Sequence, residues 1–388
     1  MILRMLVFGA AAALADPMSL YRQAIDAREQ RDAQRFVATT GQLRDWAPTN
    51  PPLRFLHAEA LALSGRTSPA LAELRWLAKY GYHYAFWERS TFASLPAGAE
   101  TSALREATTR NGLPAGRITR TIRIDPATLE GEGIDALGPD WIIGSMANGS
   151  LYRVARTGTT TVAWRETEPA RRVLGVRSDP DHKVVWACST GPDEREPHSQ
   201  LLRISLQPGA VERFQMPDSH SLCNDVALLP DGSVAVSDSE RGAVWQLSAN
   251  GKWRTLAAPG TFGYPNGLTY LAKARRLVVT DLRGLWTIDL ADSRVAAIDA
   301  PEGMFVGGID GLYAVDGELL GIQNGLRPHR VVRIVLSEDS RQVARIAVVA
   351  SNLPELAQMT TAAVDREGIT VLAANQLLQL VSSGSADD

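Results

Sequence analysis

The sequence predicts a mainly β fold, a six-bladed β-propeller, preceded by a small all-α segment. Three observations predict it. A strand–turn–strand unit recurs six times in the C-terminal two thirds of the chain. The copies are spaced by roughly 40 to 50 residues, the period of a four-stranded blade. The residues ahead of them, 17 to about 115, lack that unit and place apolar residues at helical spacing instead.

The clearest copy runs from Leu222 to Asp238. A polar step at Asn224-Asp225 is followed by the apolar run Val226–Leu229, the turn Pro230-Asp231-Gly232, and a second apolar run ending at Ser237-Asp238. Pro and Asp preset the turn, and Gly supplies the positive φ that other residues resist. The other copies begin at Gly131-Glu132, Val173-Leu174, Tyr264-Pro265-Asn266, Gly308-Ile309-Asp310 and Thr360-Thr361. One such unit cannot bury both its faces alone, whereas six in a ring can. Strand-like Ile118–Ile124 is expected to complete the blade begun at Thr360, as shared-blade closure does in many propellers.

Composition agrees with a folded chain. Of 388 residues, 45% are hydrophobic and 21% charged, which excludes a disordered protein. A net charge of −3 leaves no electrostatic footprint for nucleic acid or an anionic membrane.

From the N-terminus, Arg4 precedes an apolar run from Met5 to Ala15 with an Ala-x-Ala ending, then Asp16-Pro17. This is the pattern of a cleaved secretory signal, and a run of that length is too short to span a bilayer. A buried start to the first helix is the alternative. The expected organisation is a signal at 1–15, a helical segment at 16–115, the propeller at 116–382 and a flexible tail at 383–388, with export to the periplasm or the medium and no membrane span. Within the helical segment two units align at a period of about 34, pairing Ala24 with Ala58 and Leu43 with Leu77. Ala58, Gly65 and Ala70 stand at the spacing of a tetratricopeptide repeat, which this segment resembles, although the first unit has Arg31 and Phe36 at the last two places. The aromatic run Tyr80–Trp87 suits either a protein-partner surface or a cap packed on the propeller. The two cysteines, Cys188 and Cys223, fall near one rim. A disulfide and two buried thiols are both open.

Inner strands of a propeller run alike, so the residues that start them meet at one channel mouth. Those residues are Glu132, Leu174, Asn224 with Asp225, Asn266, Asp310 and Thr360. Carboxylate and amide oxygens are the ligands of hard cations. Two close carboxylates are costly unless a cation neutralises them. Asn and Asp before Gly are also ordinary turn formers. Asp238, Asp281, Asn324 and Asn375 end second strands, mostly as turn residues, with any of them able to line the mouth. No histidine is assigned to a metal, and Trp141, Trp186, Trp245 and Trp286 are expected to pack.

Glu132-Gly133-Ile134, Cys223–Val226, Tyr264–Leu268 and Ile309–Leu312 together are similar to the four signatures of the gluconolactonase and senescence-marker-protein family, in order and on the expected blades. The resemblance spans about 118–381. It implies a metal-dependent lactone hydrolase in which Glu132, Asn266 and Asp310 hold a divalent cation, calcium ahead of zinc or manganese. It also implies that Asn224 and Asp225 contact the substrate and that Asp310 is the base. The chain departs from the family pattern at Ile134, usually proline, and at Leu222, often arginine. Leu174 stands where related lactonases place a histidine. These departures turn the expected substrate from a sugar acid toward a more apolar lactone or ester. A propeller that binds a metal, small ligand or protein partner without turnover, and a redox or lyase enzyme on the same fold, are the competing readings. The absence of a basic cluster at the mouth counts against a quinone cofactor.

Overall fold

The computed structural model describes residues 17–125, 129–193, 198–207, 209–374 and 376–380. The expected signal, the expected tail and Asn375 lie outside the described residues. The helical segment consists of α1 Pro17–Glu29, α2 Ala33–Trp46, α3 Pro51–Leu63, α4 Thr67–Lys79 and α5 Ala99–Asn111, each packed on the next. Local chemistry sets their starts. Asp32 accepts the Arg35 N–H, and Asn50 accepts the Leu53 N–H with Pro51 opening α3. Ala24, Ala58, Ala60 and Ala70 are wholly buried, so the helices approach closely.

Six four-stranded antiparallel sheets follow. Blade one holds β2 Gly131–Leu137, β3 Asp140–Ser145, β4 Leu151–Val154 and β5 Thr160–Trp164. Blade two holds β6 Arg172–Asp179, β7 Val184–Thr190, β8 Gln200–Ser205 and β9 Val211–Gln215. Blade three holds β10 Cys223–Leu228, β11 Val234–Asp238, β12 Ala243–Leu247 and β13 Trp253–Ala257. Blade four holds β14 Leu268–Leu271, β15 Arg276–Thr280, β16 Leu285–Asp289 and β17 Val295–Ala297. Blade five holds β18 Leu312–Val315, β19 Glu318–Gln323, β20 Arg330–Leu336 and β21 Val343–Ser351. Blade six holds β22 Met359–Asp365, β23 Gly368–Ala373 and β24 Gln376–Leu380, and takes β1 Ile118–Arg123 as its outer strand, with Ile118 opposite Leu380. The expected ring closure is present.

Burial follows the layering. Second strands such as β7 and β11 are buried throughout, whereas the outer strand β9 is largely open to solvent. Their Val, Ile, Ala and Trp content therefore packs blade on blade. Trp141, Trp186 and Trp245 are buried as expected. Around the channel the inner strands nearly touch. A Cβ on Gly133 would lie 2.3 Å from the Leu174 carbonyl oxygen, and one on Gly267 would lie 2.7 Å from that of Asp310. Glycine after the mouth residue is thus a condition of ring closure. Cys188 and Cys223 form a disulfide, with Cα atoms 5.2 Å apart, that ties blade two to blade three.

The helical segment packs on loops of blades four and five. The Tyr82 hydroxyl donates to the Gly303 carbonyl (2.8 Å) and accepts from the Phe305 N–H (3.2 Å). Asn50 Nδ2 donates to the Leu282 carbonyl at 2.7 Å. Phe305 and Leu326 are buried in the same apolar cluster as Tyr82 and Phe86. The aromatic run therefore faces inward at this joint.

Candidate functional site

The starts of the inner strands converge as the repeat requires. Glu132, Asn224, Asn266 and Asp310 line one pocket of about 430 Å³ at the channel mouth, on the face where the helical segment sits. Met146, Leu174 and Leu222 make its apolar wall, and Arg172 adds a single guanidinium. No described residue of the helical segment is among those that line it.

Asp310 is the most constrained group. Its Oδ1 accepts from Asn266 Nδ2 at 2.8 Å and its Oδ2 from Asn324 Nδ2 at 2.6 Å. Asn324 ends β19 and also donates to the Met359 carbonyl, so three blades fix this carboxylate. Burial raises its pKa to about 6, against the lowering effect of the two amide bonds. The Glu132 carboxylate has no hydrogen bond from any described residue. Burial, with the Asp310 charge acting in the same sense, pushes it up to about 8. The Glu132 main chain is held instead, its carbonyl accepting from Thr360 and Thr361 hydroxyls at 2.8 and 2.6 Å. Thr360 thus fixes blade one to blade six and does not line the pocket. Asn224 Nδ2 donates to Ser239 Oγ at 2.8 Å, and Ser239 donates to the Pro265 carbonyl at 2.6 Å. Because all three asparagines donate through their amide nitrogens, each keeps its carbonyl oxygen open.

Asp225 is a correction. It does not line the pocket and is 6% exposed. Consecutive strand residues point to opposite sides, so with Asn224 in the pocket Asp225 turns toward the channel interior. There it accepts from the Val226 and Leu268 N–H groups and lies 3.7 Å from Arg177 Nη2. Arg177 also faces Asp135 at 4.0 Å and stacks 5.0 Å from the Tyr313 ring. Burial works against the Arg177 charge, but Asp135, Asp225 and Tyr313 together outweigh it and hold its pKa up. This network was missed from the sequence. Its signal was a charged residue inside each of three apolar inner strands, at Asp135, Arg177 and Asp225.

Asp238 and Asp281 are structural. Each accepts the indole N–H of the tryptophan in the next strand, Trp245 and Trp286, at 2.9 Å. Among the histidines, His182 bonds Asp179 at 2.8 Å, and none lines the pocket.

The donor set fits a hard cation. Glu132 and Asp310 bring carboxylates with lone pairs to spare and Asn224 and Asn266 bring open amide oxygens, while Asp193 and Glu240 also line the pocket and no described histidine or cysteine does. Among the described residues there is no group of three His, Cys, Asp or Glu side chains of metal-binding form, so the amide oxygen of Asn266 would have to join the Glu132 and Asp310 carboxylates in the shell. Backbone strain flanks the site, with Glu130 at φ 48° and Tyr264 at φ 59° in the left-handed region. Such strain persists only where its surroundings over-determine it.

No family model and no curated protein matches the sequence. Solved structures do match. A streptogramin B lyase is 13% identical, with a TM-score of 0.52, covering 67% of this chain and 97% of the lyase. A quinone-bound aldose sugar dehydrogenase from Streptomyces coelicolor is 17% identical, with a TM-score of 0.52, covering 69% and 98%. A gluconolactonase from Xanthomonas campestris is 13% identical, with a TM-score of 0.49, covering 69% and 100%. The chain is a six-bladed β-propeller. At these identities the likenesses show that fold alone, and chemistry has to be read from the pocket.

Proposed function

We propose that the protein is an exported, metal-dependent hydrolase of the gluconolactonase-like type that opens a lactone or related ester. One observation carries this reading. Glu132 and Asp310, two carboxylates of raised pKa, meet in a single pocket beside the open amide oxygens of Asn224 and Asn266. A bound divalent cation, calcium by its preference for oxygen ligands, would supply Lewis-acid polarisation of the substrate carbonyl. Glu132, Asn266 and Asp310 would hold it. Asp310, ionised at neutral pH, takes the proton of the attacking water as the new C–O bond forms. It returns that proton to the ring oxygen as the ester C–O bond breaks, giving a hydroxy acid. Asn224, anchored through Ser239, orients the substrate carbonyl. Leu174 and Leu222 favour an apolar substrate. The disulfide supports export, since such bonds persist in oxidising compartments.

The test is hydrolysis of a panel of lactones and aryl esters by the chain from Asp16, chelated and then given calcium, zinc or manganese, beside Asp310→Ala. Metal-dependent activity lost in the variant is the expected result. Absence of metal binding would sink the proposal.

A second reading has its own support. Both Asp310 oxygens are held by asparagines, which suits a fixed ligand as well as a base. Metal binding without turnover across the panel would favour a non-catalytic propeller that holds a metal and a small ligand, or that docks a protein partner through its helices.

A further inference from the structure

We propose that Arg172 is a specificity-determining residue of the mouth pocket and receives a free carboxylate on the ligand. The proposal deepens the hydrolase reading and rests on it only for the identity of the reacting group. Arg172 opens β6 and is half-buried. Among the described residues that line the pocket with Glu132, Asn224, Asn266 and Asp310, it is the one cation. Among the described residues no hydrogen bond or ion pair engages its guanidinium. Neighbouring Arg171, by contrast, commits its own to the Ser189 hydroxyl, the Ser189 carbonyl and the His198 carbonyl, each at 3.1 Å. A guanidinium presents its N–H donors in a planar fork, the shape that receives a carboxylate through paired parallel bonds.

The strand aims this side chain. Val173 is wholly buried against blade one, its Cγ1 2.3 Å from where a Cβ on Gly144 would stand. Alternate strand residues share a face, so Arg172 and Leu174 both turn to the pocket, which both line. Arg172 pairs with Thr190 of β7. Cys188 lies on the same strand, and its disulfide to Cys223 reaches the residue next to Asn224. The strands that carry Arg172 and Asn224 are therefore linked covalently across the pocket. Groups whose spacing is set beforehand cost less to order when a ligand binds.

Charge decides the ligand. In the proposed metal site a divalent cation neutralises Glu132 and Asp310. Asp193 and Glu240, which also line the pocket, already have partners in the protein. Arg172 is left as the charge that a ligand would answer. One guanidinium matches one carboxylate, whereas a phosphate dianion would bring a second negative charge among the four acids of the lining. Met146, Leu174 and Leu222 offer no side-chain donor to hydroxyl groups. The ligand is therefore a hydrocarbon skeleton with a carboxyl group at each end, one closed as a lactone or ester and one free.

The test separates binding from turnover. Levulinate and 2,5-hexanedione share a ketone and a chain, and neither can be hydrolysed. They differ by a carboxylate in place of an acetyl group. Each is titrated calorimetrically into the calcium-treated chain, into Arg172→Gln and into Arg172→Lys. A charge-assisted hydrogen-bond pair is worth roughly tenfold or more in affinity, and levulinate is expected to bind the native chain more tightly by that factor. Arg172→Gln should bring the ratio within about twofold of unity, and Arg172→Lys, which keeps the charge without the fork, should restore part of it. In parallel, kcat/KM is compared for γ-butyrolactone-γ-carboxylate and for γ-valerolactone, which carries a methyl group at the same carbon. A levulinate preference that depends on Arg172, with no turnover of either lactone, keeps the carboxylate site and removes the hydrolase reading. Equal affinity of the two probes, no binding of either, or a preference unchanged in Arg172→Gln would overturn the role of Arg172, whatever the enzyme does. In the last case the carboxylate sits on the metal instead.

Discussion

Asn266 donates its amide N–H to Asp310 at 2.8 Å, joining blade four to blade five at the channel mouth. The bond orients the carboxylate and leaves the Asn266 carbonyl oxygen open. Both halves of the proposed cation site are thereby oriented by protein groups alone.

The proposed metal site predicts that calcium stabilises the fold. A ligand present at about a hundred times its Kd adds about 2.7 kcal/mol, so calcium is expected to raise the melting temperature by several degrees. Glu132→Gln loses no hydrogen bond and removes one of the two facing charges. It should raise the melting temperature of the metal-free protein at pH 8 and shrink the calcium shift. Differential scanning calorimetry with chelator and with calcium checks both, and an unchanged calcium shift would remove Glu132 from the ligand set.

The same carboxyls predict a pH dependence. A carboxyl whose pKa is higher folded than unfolded holds more protons in the fold, so stability falls as pH rises between the two values. For Glu132 the window runs from 4.5 to about 8, and for Asp310 and Asp225 from 3.8 to about 6. The contribution of these three groups is therefore fully present only below pH 3.8, and the metal-free protein should lose stability progressively from pH 4.5 to pH 8. Glu132→Gln should flatten the part above pH 6. Urea midpoints across this range provide the measurement, and a midpoint that rises with pH would contradict it.

Arg177 neutralises two acids in the channel interior. Arg177→Met leaves Asp135 and Asp225 without their cation, which costs about 3–5 kcal/mol for a buried pair. The loss should be larger at pH 8 than at pH 5, where the acids can protonate. Chemical denaturation at the two pH values reads the difference.

Replacing Cys188 and Cys223 together by serine opens a link between residues 35 apart in sequence. Loop entropy sets the expected loss at about 2–4 kcal/mol. Denaturation of the double variant under non-reducing conditions measures the loss.

The blades were legible because one strand–turn–strand unit repeats with its turn chemistry intact, as at Pro230-Asp231-Gly232. Glu132, Asn224, Asn266 and Asp310 were legible because equal positions in equal units meet on one axis. Asp225 was misplaced because its neighbour Asn224 marks the same motif, while strand alternation turns the two apart. The Arg177 network was missed because its partners come from separate blades, and nothing local in the sequence pairs them. Where the helices rest was hidden for a similar reason, since Trp46 on Gly263 and Tyr82 on Gly303 are contacts between distant parts of the chain.

The pairing of β1 with β24 has a consequence for how the molecule is made. During synthesis, the strand that leaves the ribosome first among the blades must wait for the strand that leaves last. Until then blade six lacks its outer edge, although the loops of blades four and five on which the helices rest have already been made. Pairing of β1 with β24 is therefore the step that closes the ring, and any interruption before it leaves an open arc with an unpaired strand at each end.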